Sequence, residues 1–176
     1  MSLTDAILQE FKQESATTRR VLERVPDDRL TWKPHAKSMS LGVLALHLAS
    51  SPGAIAEWGL VDSMEFPAGR QMPEPTSNAE ILAAHDQGVK KLESAITRIG
   101  DEGLRQNWQA TKDGVAFMKM PKIALVRAIV LNHAYHHRGQ LSVYLRQVGA
   151  RVPSIYGPSA DENPFAAARP ATVASA

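Results

Sequence analysis

Three of the six histidines of the chain crowd into the stretch NHAYHHRGQ, at positions 133, 136 and 137. On an α-helix each residue advances about 100°, so His133 and His137, four positions apart, point the same way about one turn apart. His136 lies at the edge of that arc and is the least suitable ligand of the three. The spacing of His133 and His137 therefore indicates a pair of imidazoles that can bind a metal ion together.

Both histidines of this pair share their arc with apolar side chains, so they project towards a core and not towards solvent. His47, within LGVLALHLA, shares its arc with apolar residues of another helical stretch in the same way. A buried imidazole without partners costs about 1 to 3 kcal/mol, and metal coordination would resolve all three histidines together. Three protein nitrogens with one or two open positions are typical of a catalytic divalent site.

Other interpretations of the histidines stay open at this stage. His47 taken alone is more often a hydrogen-bonded core histidine than a ligand, and HxxxH also occurs by chance on helices. His85 shares an arc with apolar residues of a third stretch, so geometry does not exclude it, and we interpret it as a satisfied boundary histidine. His35 is expected to face solvent. Nickel and zinc are the expected ions, with manganese and iron as alternatives.

The neighbours of the histidine pair suggest further roles. Gln140 returns to the arc of His133 and either orients a ligand histidine or is an ordinary polar position. Arg138 projects away from that arc, which indicates a surface or interface charge. Gly139 is costly inside a helix by about 1 kcal/mol, which indicates the close approach of another helix or chain. Trp58 shares the arc of His47.

Several other kinds of site are excluded or unsupported. The motif HAYHH is not HExxH, and no GxSxG, Walker-type loop or dinucleotide fingerprint occurs. The chain has no cysteine, so a thiol used in its chemistry must arrive with the substrate. A formal charge of +2 gives no support to nucleic acid as a partner.

The elements that must position these histidines are four stretches with helical periodicity, separated by breaks rich in proline and glycine. Their expected bounds are about Thr4–Val25, Leu41–Leu60, Ser77–Ile99 and Pro121–Gly149. Ser38 or Ser40 caps the second, Ser77 and Glu80 form a capping box for the third, and Gly100 suits its end. Between the third and fourth, residues 101–120 suggest a turn joining two short extended pieces.

This pattern predicts an all-α fold, a helix bundle formed by one domain over residues 1–164, with a loose tail over residues 165–176. The N-terminus lacks the features of a signal peptide, so a cytoplasmic location is expected. The longest apolar run, residues 41–49, is far shorter than the roughly 20 residues of a membrane-spanning helix. No membrane contact is expected.

Three segments of the chain carry a family resemblance. LTWKP, SMSLGVLALHLA and NHAYHHRGQLSVYLRQVGARVPSIYGPSADE occur in the order found in the DinB/YfiT-like family, and the resemblance covers roughly residues 3–163. It implies a four-helix bundle of the up-down-down-up kind, usually dimeric. It also implies a divalent metal held by His47, His133 and His137, the trio that the helical geometry selects.

The function implied by this resemblance is a metal-dependent transfer of a low-molecular-weight thiol to an electrophile, or a thiol-dependent isomerisation. The partners would be a small thiol and an electrophilic substrate, within a homodimer. A metal-dependent hydrolase and a metal-stabilised binding or stress-response module without turnover are the alternatives.

Overall fold

The computed structural model describes residues 2–66 and 72–166 of the chain. It is mostly helical, as the sequence predicts, with a helical content of 60%. Four long helices account for this content: α1 (Leu3–Leu22), α2 (Leu41–Trp58), α3 (Asn78–Arg105) and α4 (residues 122–147). Most of the predicted loose tail, residues 167–176, lies outside the described residues. No helix in the described ranges is both long and apolar enough to cross a membrane. The up-down-down-up order of the helices stays a prediction.

A small sheet corrects the all-α prediction. Its strands are β1 (Ser63–Glu65), β2 (Asn107–Lys112) and β3 (Val115–Pro121), in that order across the sheet. β2 and β3 are antiparallel and join through Asp113 and Gly114, which both have positive φ, so the predicted turn between two extended pieces is confirmed. The parallel pairing of β1 with β2 joins segments on either side of α3. A three-residue strand that pairs with a segment so far along the chain leaves no local pattern, which is why β1 and its pairing with β2 were not predicted.

The helix ends follow the predicted chemistry with two corrections. Ser40 caps α2, where its Oγ accepts from the N–H of Val43 at 3.1 Å. The Oγ of Ser77 likewise accepts from the N–H of Glu80 at 3.2 Å, but the Glu80 carboxylate accepts from the N–H of Thr76 and not from that of Ser77. Only half of the predicted capping box therefore forms. Gly100 has the expected positive φ of 65°, yet α3 resumes after it and ends at Arg105, since helical geometry is regained beyond the kink.

A close approach of α2 and α3 fixes the helix that carries His47. A Cβ atom added to Gly53 would meet the carbonyl oxygen of Gly88 at 2.5 Å, and one added to Gly88 would meet the carbonyl oxygen of Ala49 at 2.7 Å. Backbones this close can pack only where both residues lack a side chain. The two glycines therefore set the position of α2 against α3, and with it the height of His47 along the core.

The fourth helix contains an irregularity that the periodicity did not predict. It begins with the α-helical turn Lys122–Ala124, continues as a π-helical stretch, Leu125–Leu131, and is α-helical over Asn132–Gln147. π-helical turns are rare and are frequent at functional sites. Because the regular α-helix begins at Asn132, the four-residue spacing of His133 and His137 keeps its expected geometry. Before Asn132, the π-helical stretch turns the side chains to directions around the helix axis that differ from those in a straight α-helix.

Candidate metal centre

The three predicted histidines meet between α2 and α4. The Nε2 atom of His133 lies 2.9 Å from Nε2 of His137 and 3.3 Å from Nε2 of His47. Among the described residues, these three form a group whose candidate ligand atoms all lie within 4.8 Å of one another. The structure therefore brings together the side chains that the sequence selected from two separate helices.

The separations between these nitrogens fit a shared ion. Two nitrogens that each lie about 2.0–2.1 Å from one ion, at angles between about 90° and 109°, are about 2.8–3.4 Å apart. The separations of 2.9 Å and 3.3 Å fall within this range. A neutral imidazole carries a single N–H, so the Nε2 atom of His133 cannot donate to both of its neighbours. A cation is attracted by all three lone pairs at once, which makes the cluster compatible with a metal site.

Gln140 orients one of the three rings. Its Oε1 atom lies 2.7 Å from Nδ1 of His137 and accepts a hydrogen bond from that nitrogen. The proton of the neutral ring is then on Nδ1, and Nε2 presents a lone pair towards the cluster. The side chain thus has the orienting position that was one of the two sequence interpretations.

Electrostatics keeps two of the histidines neutral at physiological pH. Burial, with a smaller contribution from repulsion by His137 and His136, lowers the pKa of His133 to about 4. Burial also lowers the pKa of His137, although the hydrogen bond that its Nδ1 donates to Gln140 partly opposes that effect. The neutral imidazole is the form that binds a metal ion, so both rings are in the protonation state that coordination requires.

A cavity of about 340 Å³ opens beside the cluster and is lined by both His47 and His133. Much of its wall is apolar, contributed by Ile55, Trp58, Phe66, Met72 and Ile129. Trp58 therefore shares a surface with His47, as their common arc indicated. None of the described residues that line the cavity is Asp, Glu, Lys or Arg. A small molecule in this cavity would lie directly against two of the three histidines.

The other histidines stay outside the cluster. His35 is exposed, as expected, and His136, which the spacing made the least suitable ligand of its stretch, is exposed too. His85 is only 6% exposed, and its Nδ1 atom, 3.6 Å from the Asp86 carboxylate, has no hydrogen-bond partner among the described residues. His85 is therefore buried and not at the boundary that was predicted, and its Nδ1 atom lies just beyond hydrogen-bonding distance of Asp86.

Arg138 is not the surface or interface charge that the helical wheel indicated. It is 1% exposed, and its terminal nitrogens donate to the Glu14 carboxylate at 2.6 Å, to the Glu14 carbonyl at 3.0 Å and to the hydroxyls of Thr18 and Tyr156. The guanidinium also stacks over the rings of Tyr135 and Tyr156. A wheel gives the direction of a side chain but not the helix or loop that covers it. Here α1 and the segment after α4 do so.

Gly139 also differs from its prediction. It is exposed, and a Cβ atom placed on it would meet no heavy atom of the described residues within 4 Å. No other helix of the described chain approaches it. Contact with another chain at this position stays a prediction.

Three residues around the centre were missed by sequence reasoning. Glu14 and Tyr156 complete the environment of Arg138, and Ser51 lines the cavity. Tyr156 lies within the proline-rich segment after α4, whose aromatic content was the one available sign of contact with the helices. Glu14 and Ser51 carry no distinctive pattern, because both are polar residues within otherwise ordinary helices.

The chain is similar in sequence to two proteins of Bacillus subtilis. The chain is 28% identical over 159 residues to the uncharacterized protein YrdA of Bacillus subtilis strain 168, covering 90% of each chain. It is 23% identical over 149 residues to the uncharacterized protein YjoA of the same organism, covering 85% of this chain and 93% of YjoA.

Solved structures show the same fold. A DinB-like protein from Bacillus cereus ATCC 10987 superposes with a TM-score of 0.68 at 25% identity, over 86% of this chain and 97% of that one. The structure of the DinB-like protein YjoA from Bacillus subtilis gives a TM-score of 0.63 at 21% identity, over 82% and 92%. The model of the DinB family matches residues 1–166, and the chain described here therefore belongs to the DinB family.

Proposed function

We propose that this protein is a divalent-metal-dependent enzyme that uses a low-molecular-weight thiol, as a thiol S-transferase or a thiol-dependent isomerase. The observation that carries the proposal is the convergence of three Nε2 atoms beside a cavity whose described lining carries no Asp, Glu, Lys or Arg. His47, His133 and His137 would hold the ion, which when bound lowers the pKa of a coordinated thiol or water. Nickel and zinc suit three imidazole ligands, with manganese and iron as alternatives.

The residues of the chain have distinct tasks in this proposal. Gln140 holds His137 in the tautomer that presents Nε2, and burial keeps His133 uncharged. The apolar wall of the cavity excludes water from the neighbourhood of the reacting atoms. Because the chain has no cysteine, the sulfur nucleophile comes from a small thiol and not from the protein. The electrophile would occupy the cavity.

Further expectations accompany the proposal. The family resemblance implies an up-down-down-up bundle that acts as a homodimer, and the expected location is the cytoplasm. Nucleic acid and membranes are not expected as partners. A hydrolase in which metal-bound water is the nucleophile, and a metal-stabilised module without turnover, are the two competing functions.

The decisive experiment compares His133→Ala with His136→Ala. His136 is a matched control, since it lies on the same turn of α4 but is exposed and outside the cluster. We expect His133→Ala to lose most of its bound metal after dialysis while keeping its helical circular dichroism, and His136→Ala to retain the metal. Elemental analysis measures the metal content of each variant. Equal metal content in both variants would contradict the metal site.

Activity separates the three functions once metal content is known. The metal-loaded protein is incubated with an electrophile, with and without a small thiol, and both the conversion of the electrophile and the loss of the thiol are followed. We expect the electrophile to be converted faster than in the uncatalysed reaction, at a rate that depends on both the thiol and His133. A rate independent of thiol would favour the hydrolase, and retained metal without any rate across several thiols would favour the binding module.

A further inference from the structure

Ser51 has an unusual environment on the cavity wall. It is 6% exposed, and its Oγ atom has no hydrogen-bond partner among the described residues. The adjacent Ser50 lines the same cavity, but its Oγ donates to the carbonyl of Leu46 at 2.8 Å, which is the usual way for a helical serine to satisfy its hydroxyl. Ser51 therefore holds a buried hydroxyl that the chain itself does not use.

Buried hydroxyl groups are rarely left without a partner, and each exception asks for an explanation. Ser51 lines the same cavity as His47 and His133, so a molecule that occupies the cavity can supply the partner. The hydroxyl can donate to a carbonyl oxygen of such a molecule. The position of Ser51 thus favours a ligand with a polar group, and an oxygen acceptor is one group that satisfies the hydroxyl.

The rest of the wall limits what else the ligand can carry. Its described lining includes no Asp, Glu, Lys or Arg, so a charged group placed there would lose hydration without gaining a counterion from those side chains. Trp58 and Phe66 form an edge-to-face pair with ring centroids 5.4 Å apart, and Phe117 packs on Phe66 at 5.7 Å. These rings offer an aromatic surface that leads outwards from the histidine cluster.

The volume sets the size of the ligand. A dry apolar cavity of about 150 Å³ accommodates benzene. At about 340 Å³ the cavity beside the histidines has room for an aromatic ring with a short side chain. It also falls within the range of about 300–1,000 Å³ that is typical of small-molecule sites.

We infer that this cavity binds an uncharged aromatic carbonyl compound, with its ring against Trp58 and Phe66 and its carbonyl oxygen accepting a hydrogen bond from Ser51. The inference rests on the proposed function, because it assigns the electrophile of that same site. An aromatic ketone conjugated to a carbon–carbon double bond is an example of the class. Its electrophilic carbon would lie beside His47 and His133, while the polar body of the thiol stays outside the apolar wall.

Direct binding tests this inference without any catalysis. The probes are 4-phenylbutan-2-one, an unreactive aromatic ketone, and 3-phenylpropanoate, which has the same skeleton with a carboxylate in place of the acetyl group. Titration calorimetry is performed on the full-length chain after removal of metal with a chelator, so that the carboxylate cannot bind an ion. We expect the ketone to bind at least tenfold more tightly than the carboxylate.

Matched variants assign the binding to the cavity. Ser51→Ala should weaken ketone binding by about fivefold, the effect of one lost hydrogen bond, whereas Ser50→Ala should leave it unchanged. Ala54→Phe, which fills the cavity, should abolish binding. Ala83→Phe is its control, because Ala83 lines a neighbouring cleft that neither His47 nor His133 borders.

The outcomes separate this inference from the proposed function. Ketone binding that is equal for the Ser51→Ala and Ser50→Ala variants, or tighter binding of 3-phenylpropanoate, would overturn the inference even if the protein binds metal and turns over a thiol. If the purified protein retains no metal on dialysis, before any chelator is added, ketone binding with the expected pattern would uphold the cavity assignment while the metal-dependent enzyme is rejected.

Discussion

Two polar clusters lie on the fourth helix, and they differ in how completely the chain satisfies them. His137 belongs to the three-histidine cluster and the next residue, Arg138, to a cluster with Glu14, Thr18 and Tyr156. Both terminal nitrogens of Arg138 are hydrogen-bonded within the chain, and two aromatic rings cover its guanidinium. In the histidine cluster, by contrast, three Nε2 atoms face one another, and the one of His133 cannot donate to both neighbours.

The contrast shows what distinguishes a structural from a functional polar group in this protein. Buried polar groups are normally paired, and a fully connected network makes the surrounding structure rigid. The Arg138 cluster fits this description and ties α4 to α1 and to the segment after α4. The histidine cluster instead brings together three ring nitrogens that are compatible with binding one ion. Completeness of pairing, and not burial, separates the two.

Arg138→Met is expected to have the largest effect on stability of the variants in the two clusters. Loss of the guanidinium leaves the carboxylate of Glu14 and the hydroxyl of Tyr156 without their common partner, and we expect the free energy of unfolding to fall by about 3 kcal/mol. Metal content should not change. Urea denaturation and elemental analysis measure the two quantities.

Adding Glu14→Leu to Arg138→Met should recover part of the lost stability, because the second change removes the uncompensated charge. If Arg138→Met strips the metal and leaves the unfolding transition where it was, the assignment of the two clusters is reversed.

An intermediate effect is expected from Gln140→Leu on the other cluster. Without the acceptor on Nδ1, His137 is no longer held in the tautomer and orientation that present Nε2, and metal affinity should fall by about 10- to 100-fold. Stability of the metal-free chain should barely change, because Gln140 is exposed. Competition with a chelator of known affinity measures the change.

Gln140→Glu is the control for this variant, since a carboxylate oxygen can accept the same hydrogen bond. It should retain metal at least as well as the unaltered chain. Unchanged affinity in Gln140→Leu would mean that the hydrogen bond to His137 has no part in the site.

The smallest effect is expected at His85, which tests whether a buried unpartnered nitrogen always indicates a ligand site. Burial lowers the pKa of His85, while the neighbouring Asp86 carboxylate partly opposes this and Arg19 adds to the lowering. As the pH falls below about 6.5, the unfolded chain binds a proton at His85 more readily than the folded chain does. The contribution of neutral His85 to the stability of the folded chain is therefore full above about pH 6.5 and is lost as the pH falls below that value.

His85→Leu should make the acid side of the stability profile shallower and change stability at pH 7 by no more than about 1 kcal/mol. Metal content should be unaffected. Thermal unfolding between pH 4 and pH 8, at the same protein concentration, shows the slope. A profile with the original slope would show that His85 titrates alike in the folded and unfolded chains.

Much of this molecule could be predicted from local patterns. Four helical stretches, the caps at Ser40 and Ser77, and the inward direction of His47, His133 and His137 all follow from spacing, because side-chain direction along a helix repeats every 3.6 residues. The hairpin turn at Asp113 and Gly114 was visible for a similar reason. These features depend on residues close together in the chain.

Other features depended on contacts between distant segments. The burial of Arg138 is decided by Glu14 and Tyr156, more than a hundred residues before it and 18 after it. The pairing of β1 with β2 and the unpaired hydroxyl of Ser51 likewise arise only when separate elements pack. No local periodicity carries such information, since a helical wheel gives a direction without naming what lies there.

By itself, then, the sequence determined which side chains could serve as ligands and on which side of each helix they project. The tertiary structure alone decided that three of them come together, that the buried His85 does not join them, and that the adjacent Arg138 is paired. The physical reason is that direction is a local property of the backbone, whereas distance between helices is set by how their surfaces pack, as at Gly53 and Gly88.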